Sequence, residues 1–193
     1  MSHELNKQGG PDLTFLVLCG GMGSRMRGQD KPLLKYKGTP MIDLVLASAP
    51  DLPYLISANR NLQTYAQRAP VFTDREVDTE IASPLNGVLG ALERINTEWL
   101  LVAPGDSPAL PNLWWHPLYA VLDETTPGAV VHDGERQQNL HLILNRSLGP
   151  QLRQFLRDGH GEVWRFLQTA GVIRVDVPHP DWFKNVNEAE DLG

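Results

Sequence analysis

Short, almost wholly apolar runs alternate with helix-period segments along this chain, and that alternation narrows its fold more than any other feature. The runs at 15–18, 54–58, 99–103, 129–132, 141–144 and 172–177 are short and mostly apolar. They read as strands buried on both sides of a sheet. Helical spacing of apolar residues marks 40–49 (Met41, Leu44 and Val45, with Ser48 on the same face) and 84–95 (Leu85, Val88, Leu89, Leu92). Two further helices are predicted over 148–157 and 162–170, divided by Gly159-His160-Gly161. Strand followed by helix, repeated up to about residue 110, predicts an α/β fold: a mostly parallel central sheet with helices on both faces.

The 193 residues suffice for one domain with a sizeable core. There is no repeat, low-complexity tract or dividing linker, so 13–193 is expected to be a single domain behind a loose polar tail at 1–12 containing Gly9-Gly10-Pro11. That tail lacks the apolar core of a signal peptide, and no run of about 18 apolar residues suggests a membrane span. The net charge of −6 argues against nucleic acid as a partner, which calls for a basic footprint. It does not argue against a nucleotide, which needs only a local cationic pocket. The lone Cys19 rules out an internal disulfide and fits a reducing cytoplasm; no Cys/His cluster suggests zinc.

In an open parallel sheet, ligands sit beyond the carboxyl ends of the strands. Three polar segments follow predicted strands there: "LCGGMGSRMRGQDKPLL" (18–34), "ANR" (58–60) and "PGDSP" (104–108). In the first, Gly20, Gly21 and Gly23 allow backbone N–H groups to approach phosphate oxygens. The loop matches neither common phosphate cradle. A dinucleotide fingerprint starting at Gly21 meets Met26 where its third glycine belongs, and a P-loop starting at Gly23 ends in Gln29-Asp30 instead of Lys-Ser. What remains is a glycine loop bracketed by Arg25 and Lys31. A guanidinium fork and a mobile ammonium together suit a triphosphate whose terminal diphosphate must leave. Asp106, after a strand, is placed either to hold Mg²⁺, a hard cation, or to cap a following turn. No Ser-His-Asp or Cys-His set is evident, and the five tryptophans form no motif; Trp114-Trp115 read as satellite core or partner surface, Trp182-Phe183 as an anchor for the loop that follows.

The glycine loop resembles the signature loop of Rossmann-like nucleotidyltransferases, and the chain is similar to the molybdenum cofactor guanylyltransferases, which attach GMP to molybdopterin. The resemblance continues in order through "GTPMIDLVL" (38–46), "SANR" (57–60), "TD" (73–74), "SPLNGVLGAL" (83–92), "PGDSP", "VHDGERQQNLHLIL" (131–144) and "NVNEAEDL" (185–192). It implies a three-layer Rossmann-like sandwich of the nucleotide-diphospho-sugar transferase type. It also implies GTP and molybdopterin as substrates, Mg²⁺ (or Mn²⁺, which takes the same oxygen ligands), and other molybdenum-cofactor proteins as partners. By the same resemblance Arg25, Lys31 and Asp106 are catalytic, with Asp106 the metal ligand. Leu18, Cys19, Gly20, Gly21, Gly23, Ser57, Asn59 and Asp74 would join them around the nucleotide, and His132, Arg136, Asn185 and Asn187 would meet molybdopterin. Guanylyl-transferring members tend to carry two glycines where cytidylyl-transferring ones carry alanine then glycine, so Gly20-Gly21 favours GTP. The chain departs from the family's usual residues at Ser57, Arg27, Ser83, Asn86 and Asn139. From the residues alone Asp74 serves equally as a turn aspartate, His141 as a packed strand residue, and Asn187 as a helix cap. Two other readings stand beside guanylyl transfer: a cytidylyl or sugar-phosphate nucleotidyltransferase, and a binding module that holds nucleotide without chemistry.

Overall fold

Every run expected to be a strand is one, and every helix-period segment is a helix, in the computed structural model, which describes residues 11–20, 30–77 and 81–186. In chain order the elements are β1 (Leu13–Leu18), β2 (Lys35–Tyr36), β3 (Thr39–Pro40), α1 (Met41–Ala47), β4 (Tyr54–Ser57), α2 (Leu62–Ala66), β5 (Val71–Phe72) and α3 (Pro84–Leu92). There follow β6 (Trp99–Pro104), α4 (His116–Tyr119), β7 (Gly128–His132), β8 (Gln137–Asn145), α5 (Gly149–Arg157), α6 (Val163–Thr169) and β9 (Ile173–Asp176). The sequence pattern did not announce β2, β3, β5, α2 or α4, because pieces of two to five residues carry no readable period. Among the described residues no helix is long and apolar enough to cross a membrane.

Seven strands form one sheet in the order β5-β4-β1-β6-β8-β7-β9. The pairs β5/β4, β4/β1, β1/β6 and β7/β9 are parallel, while β8 runs antiparallel to both neighbours. The sheet is therefore mixed but mostly parallel, as expected. The expected strand at 141–144 extends back to Gln137. Its first four residues are half-buried and three of them polar, and Gln137 and Gln138 pair with β7 beyond a register shift at Val130/Val131, so this stretch lacks the apolar signal that marked the rest.

Strand residues alternate between two cores. Leu13, Phe15 and Val17 of β1 and Trp99, Leu101 and Ala103 of β6 face one core, shared with Ile42 and Val45 of α1, Tyr65 of α2 and Leu118 of α4. Leu16 of β1 and Leu100 and Val102 of β6 face the other, shared with α3, α5 and α6 through Val88, Leu152 and Phe166. Helices thus cover both faces, and the period of two along each strand decides which core a side chain joins. Trp114 and Trp115 are buried in the first core, and the Trp114 indole donates to Ser48 Oγ (3.1 Å). They are core residues and present no partner surface.

α3 starts as its sequence predicts. Ser83 Oγ accepts from Leu85 N (3.1 Å), and Pro84 occupies the first helical position. Its approach to the sheet depends on Gly87, where a Cβ would lie 2.7 Å from Ser57 Oγ and 2.8 Å from Leu18 Cδ2. Both neighbours sit at the strand ends nearest the site, so any added bulk lifts α3 off β1 and β4. We expect Gly87→Val to destabilise the protein by about 2 kcal/mol, the usual cost of overpacking a tight contact. Urea denaturation should show a lower midpoint with an unchanged slope.

Candidate active site

β1, β4 and β6 end level with one another: Leu18 lies opposite Ser57 on one side and Pro104 on the other. The pairing continues into the loops that leave them. Cys19 N donates to Ser57 O (2.8 Å) and Gly105 N to Leu18 O (2.9 Å). The loops are thus held side by side before they diverge. Gly105 makes a close approach between two of these loops, since a Cβ there would lie 2.9 Å from Cys19 Sγ and 3.0 Å from Pro32 Cβ. Gly105, for which no role was expected, carries a sequence signal of its own: a glycine between a strand end and a carboxylate, where backbone crowding is common.

Above this floor is a cleft of about 300 Å³ lined by residues that include Leu18, Cys19, Gly20, Asp30, Lys31, Asp106 and Asn185. Lys31 opens a 3-10 turn (Lys31–Leu33) whose Pro32 is buried; this turn carries the chain back toward the core and leaves the lysine at the cleft. There Lys31 Nζ donates to Asp106 Oδ2 at 2.8 Å, with the two side chains 18% and 20% exposed. The chain turns at Asp106 and no helix begins there; the hydrogen bond from Lys31 is the contact of this carboxylate that faces the cleft. Cys19, which also faces the cleft, is not a nucleophile in waiting: burial pushes its thiol far up and keeps it protonated.

On the β4 side, Asn59 and Asp74 converge on Gly20. A Cβ added to Gly20 would lie 3.3 Å from Asp74 Oδ2 and 3.4 Å from Asn59 Nδ2. Thr73 Oγ1 donates to Asn59 Oδ1 (2.6 Å), which leaves the Asn59 amide nitrogen as the group turned toward Gly20. A donor and an acceptor therefore flank one glycine. Ser57 does not join them: it is 1% exposed and packs under the floor against Gly87. Gly21, Gly23, Arg25, Arg27 and Asn187 lie outside the described residues.

On the β8 side, the β7–β8 turn is built by Asp133, whose Oδ1 accepts from Glu135 N and Arg136 N at 2.8 Å each, while Oδ2 accepts from Gln138 Nε2 at 2.6 Å. Burial opposes its charge, but these donors outweigh it and hold the carboxyl below its usual range. His132 stands at the end of β7, with Nδ1 3.3 Å from Gly134 N and 3.4 Å from Asp176 Oδ1. Arg136 is exposed on the turn. Both lie at the same sheet edge as the cleft, beyond β8, and neither lines it.

Asn185 does line the cleft, carried there by the segment after β9. Phe183 buries itself against Trp114 and His141, and Val186 N then donates to Asp106 O (3.0 Å). Trp182 stacks on His179 at 3.9 Å. The anchoring expected of Trp182-Phe183 is met by buried Phe183, with Trp182 half-buried against the same core. His141 is packed in the core, as the strand reading allowed.

The model of the MobA-like NTP transferase domain matches residues 15–175. A molybdenum cofactor guanylyltransferase of Pasteurella multocida is 36% identical, over 93% of this chain and 98% of its own. That of Vibrio cholerae is 33% identical over 94% and 90%. Among solved structures, the molybdopterin-guanine dinucleotide biosynthesis protein A of Archaeoglobus fulgidus superposes with a TM-score of 0.74 at 19% identity, covering 93% and 94% of the two chains. A 4-diphosphocytidyl-2C-methyl-D-erythritol synthase from Anaerococcus prevotii reaches 0.68 at 9% identity, with 93% and 92% covered; at such identities the likeness extends to the fold. On the family match and the end-to-end identity with these relatives, the chain belongs to the MobA-like nucleotidyltransferases, and within them to the molybdenum cofactor guanylyltransferases.

Proposed function

We propose that the cleft transfers GMP from GTP to molybdopterin, giving molybdopterin guanine dinucleotide and pyrophosphate. The observation that carries this reading is the Lys31–Asp106 pair, a cation and a carboxylate 2.8 Å apart at the level ends of three parallel strands. A terminal phosphate oxygen of molybdopterin attacks the α-phosphorus of GTP. The bond to the bridging oxygen between α- and β-phosphates breaks, and its electron pair leaves with pyrophosphate. A phosphate monoester is already ionised near neutral pH, so neither a protein nucleophile nor a general base is required. Catalysis is then alignment and charge stabilisation.

The residues supply these in a definite way. Lys31 offsets the charge that builds on the departing pyrophosphate, aided by Arg25 of the same loop. Its partly solvated pair with Asp106 is weak enough to exchange partners, so the ammonium can pass to a phosphate oxygen and free the carboxylate. Asp106 is the ligand proposed for a divalent cation, with Asp30 also facing the cleft. The fit is chemical: these are hard oxygen donors, and no group of three His, Cys, Asp or Glu residues forms a cage among the described residues. That suits Mg²⁺ or Mn²⁺ shared between one or two carboxylates and substrate phosphates. When bound, such an ion neutralises phosphate charge.

Base choice is assigned to Gly20, Asn59 and Asp74. Guanine offers N–H donors at two adjacent positions, N1 and N2, to a carboxylate and its O6 acceptor to an amide, whereas the cytosine edge has one donor group, N4, beside two acceptors, N3 and O2, and cannot meet a carboxylate at two positions. The Asp74 carboxylate and Asn59 amide match guanine, and the glycine between them leaves both free. A methyl group at Gly20 would press on each.

Three outcomes test this reading. Pyrophosphate release should require GTP, molybdopterin and a divalent cation together, stop with a chelator, and return with Mg²⁺ or Mn²⁺; an absence of release with any nucleotide would instead favour a binding module. Asp106→Ala should abolish transfer and Lys31→Met should lower kcat on the order of 100-fold, the scale of losing one transition-state charge contact, with circular dichroism unchanged. Gly20→Ala should raise KM for GTP about tenfold, the factor set by roughly 1.4 kcal/mol of lost binding, and narrow the preference for GTP over CTP in side-by-side turnover.

A further inference from the structure

Behind Asn185 runs a chain of buried polar groups that the transfer chemistry does not use. Ser107 Oγ donates to Asn185 Oδ1 at 2.8 Å, and His141 Nε2 lies 3.2 Å from the same Ser107 oxygen. Ser107 is fully buried and His141 is 1% exposed. The imidazole is wedged edge-to-face between Trp114 (centroids 5.6 Å apart) and Phe183 (5.1 Å). Its Nδ1 is buried with no hydrogen-bond partner.

Proton counting fixes the direction of this chain. A hydroxyl has one hydrogen. If Ser107 gives it to Asn185 Oδ1, then Ser107 must accept from His141, which places the histidine proton on Nε2 and leaves Nδ1 a bare acceptor. The opposite arrangement has the Asn185 amide donating to Ser107 and Ser107 donating to His141 Nε2. It forces a proton onto Nδ1, where it would be an orphaned buried donor, the costlier kind of unsatisfied group. Burial among aromatic rings also pushes the imidazole down to about 3, so a doubly protonated ring does not offer a third arrangement at neutral pH.

We infer that Ser107 and His141 are positioning residues that lock the Asn185 side chain with its oxygen turned inward and its NH₂ turned into the cleft. Asn185 is exposed and lines that cleft beside Asp106. With its oxygen committed, it offers hydrogens only, and it recognises a ligand oxygen: a phosphate or ring carbonyl of the acceptor. The relay joins three distant parts of the chain, the loop after β6, the middle of β8 and the segment after β9. It therefore sets acceptor recognition only once the C-terminal segment is seated. This inference rests on the guanylyl-transfer reading for its kinetic consequence, but not for its proton arrangement.

Steady-state kinetics and histidine ¹⁵N NMR test it together. Ser107→Ala should raise the acceptor KM about fivefold, the worth of one neutral hydrogen bond, while KM for GTP and kcat stay within about twofold on the same principle. Ser107→Thr, which keeps the hydroxyl, should restore the wild-type acceptor KM. His141→Phe keeps the aromatic packing, removes only the donor, and should raise the acceptor KM by a smaller factor. The double variant should be no worse than Ser107→Ala alone, since both act through one bond. Asn185→Asp, which presents oxygens on both sides, should exceed Ser107→Ala. The ¹⁵N spectrum of wild type should show His141 protonated at Nε2 and unchanged between pH 5.5 and 8, as the low value at about 3 requires. An Nδ1-protonated ring, additive single variants, or an equal rise in KM for GTP overturns the inference. Should wild type release no pyrophosphate with GTP and molybdopterin, the functional reading falls, and the ring's tautomer still decides the relay.

Discussion

The level ending of β1, β4 and β6 is the constraint on which the rest of the site depends. Parallel strands in register bring their carboxyl ends to one line, and two backbone hydrogen bonds past that line, Cys19 N to Ser57 O and Gly105 N to Leu18 O, keep the departing loops in contact for another residue. A cleft formed this way inherits the stiffness of the sheet beneath it. Small residues appear where the backbones crowd: Gly87 lets α3 settle on Leu18 and Ser57, and Gly105 lets the β6 loop settle on Cys19 and Pro32. Their role is steric more than conformational. The groups assigned to chemistry then sit one or two residues beyond the fixed points: the bare backbone of Gly20 and the side chains of Asn59 and Asp106.

A charge pair at such a site has to be firm enough to place two groups and weak enough to surrender them. Lys31 and Asp106 meet both needs. Each is held by a segment anchored in the core, Lys31 by the turn containing buried Pro32 and Asp106 by the Gly105 approach and by Val186 N on its carbonyl. Yet each side chain keeps about a fifth of its surface, so solvent screens their attraction. Full burial would have raised the cost of separating them several-fold. A pair that can be divided between a phosphate and a cation suits a reaction in which charge moves off the α-phosphorus onto a leaving group.

How far the sequence disclosed this follows from what sequence patterns encode. The apolar runs found the inner strands because two buried faces leave no room for polar residues, whereas β9, at the sheet edge and largely exposed, showed only through its alternating valine and isoleucine. The first half of β8 stayed hidden because it lies at the sheet's site edge, where Gln137, Gln138 and Asn139 are tolerated. The roles expected of Lys31, Asp106, Asn59, Asp74 and Asn185 are compatible with one cleft, since all follow strand ends or, for Asn185, fold back onto one. Ser57 misled because a polar residue at a strand end can face either side of the sheet, and the alternation that settles the matter spans only four residues in β4. His132 and Arg136 belong to the same edge but stand two strands from Asp106, a distance that strand order decides and linear sequence does not. The buried bond between Ser107 and Asn185 joins residues 78 positions apart, and neither residue alone signals the other.

That long-range bond gives the C-terminal segment a more exact part in the site than anchoring. Phe183 fixes its depth by packing on Trp114 and His141, and Val186 N fixes its register on the Asp106 carbonyl. Between these two points the side chain of Asn185 has little freedom left except rotation of its amide, whose two ends are nearly equal in size and opposite in hydrogen bonding. Packing cannot distinguish them. Only a partner of fixed polarity can, and a buried serine that accepts from behind is left with one hydrogen to place, for which the amide oxygen is the acceptor. His141 is the donor behind it because burial keeps it neutral and because its other nitrogen faces no acceptor for a proton. The polar residue in the core and the amide in the cleft are thus two ends of one requirement: a ligand-facing group has to be told which way to point by atoms that the ligand never touches.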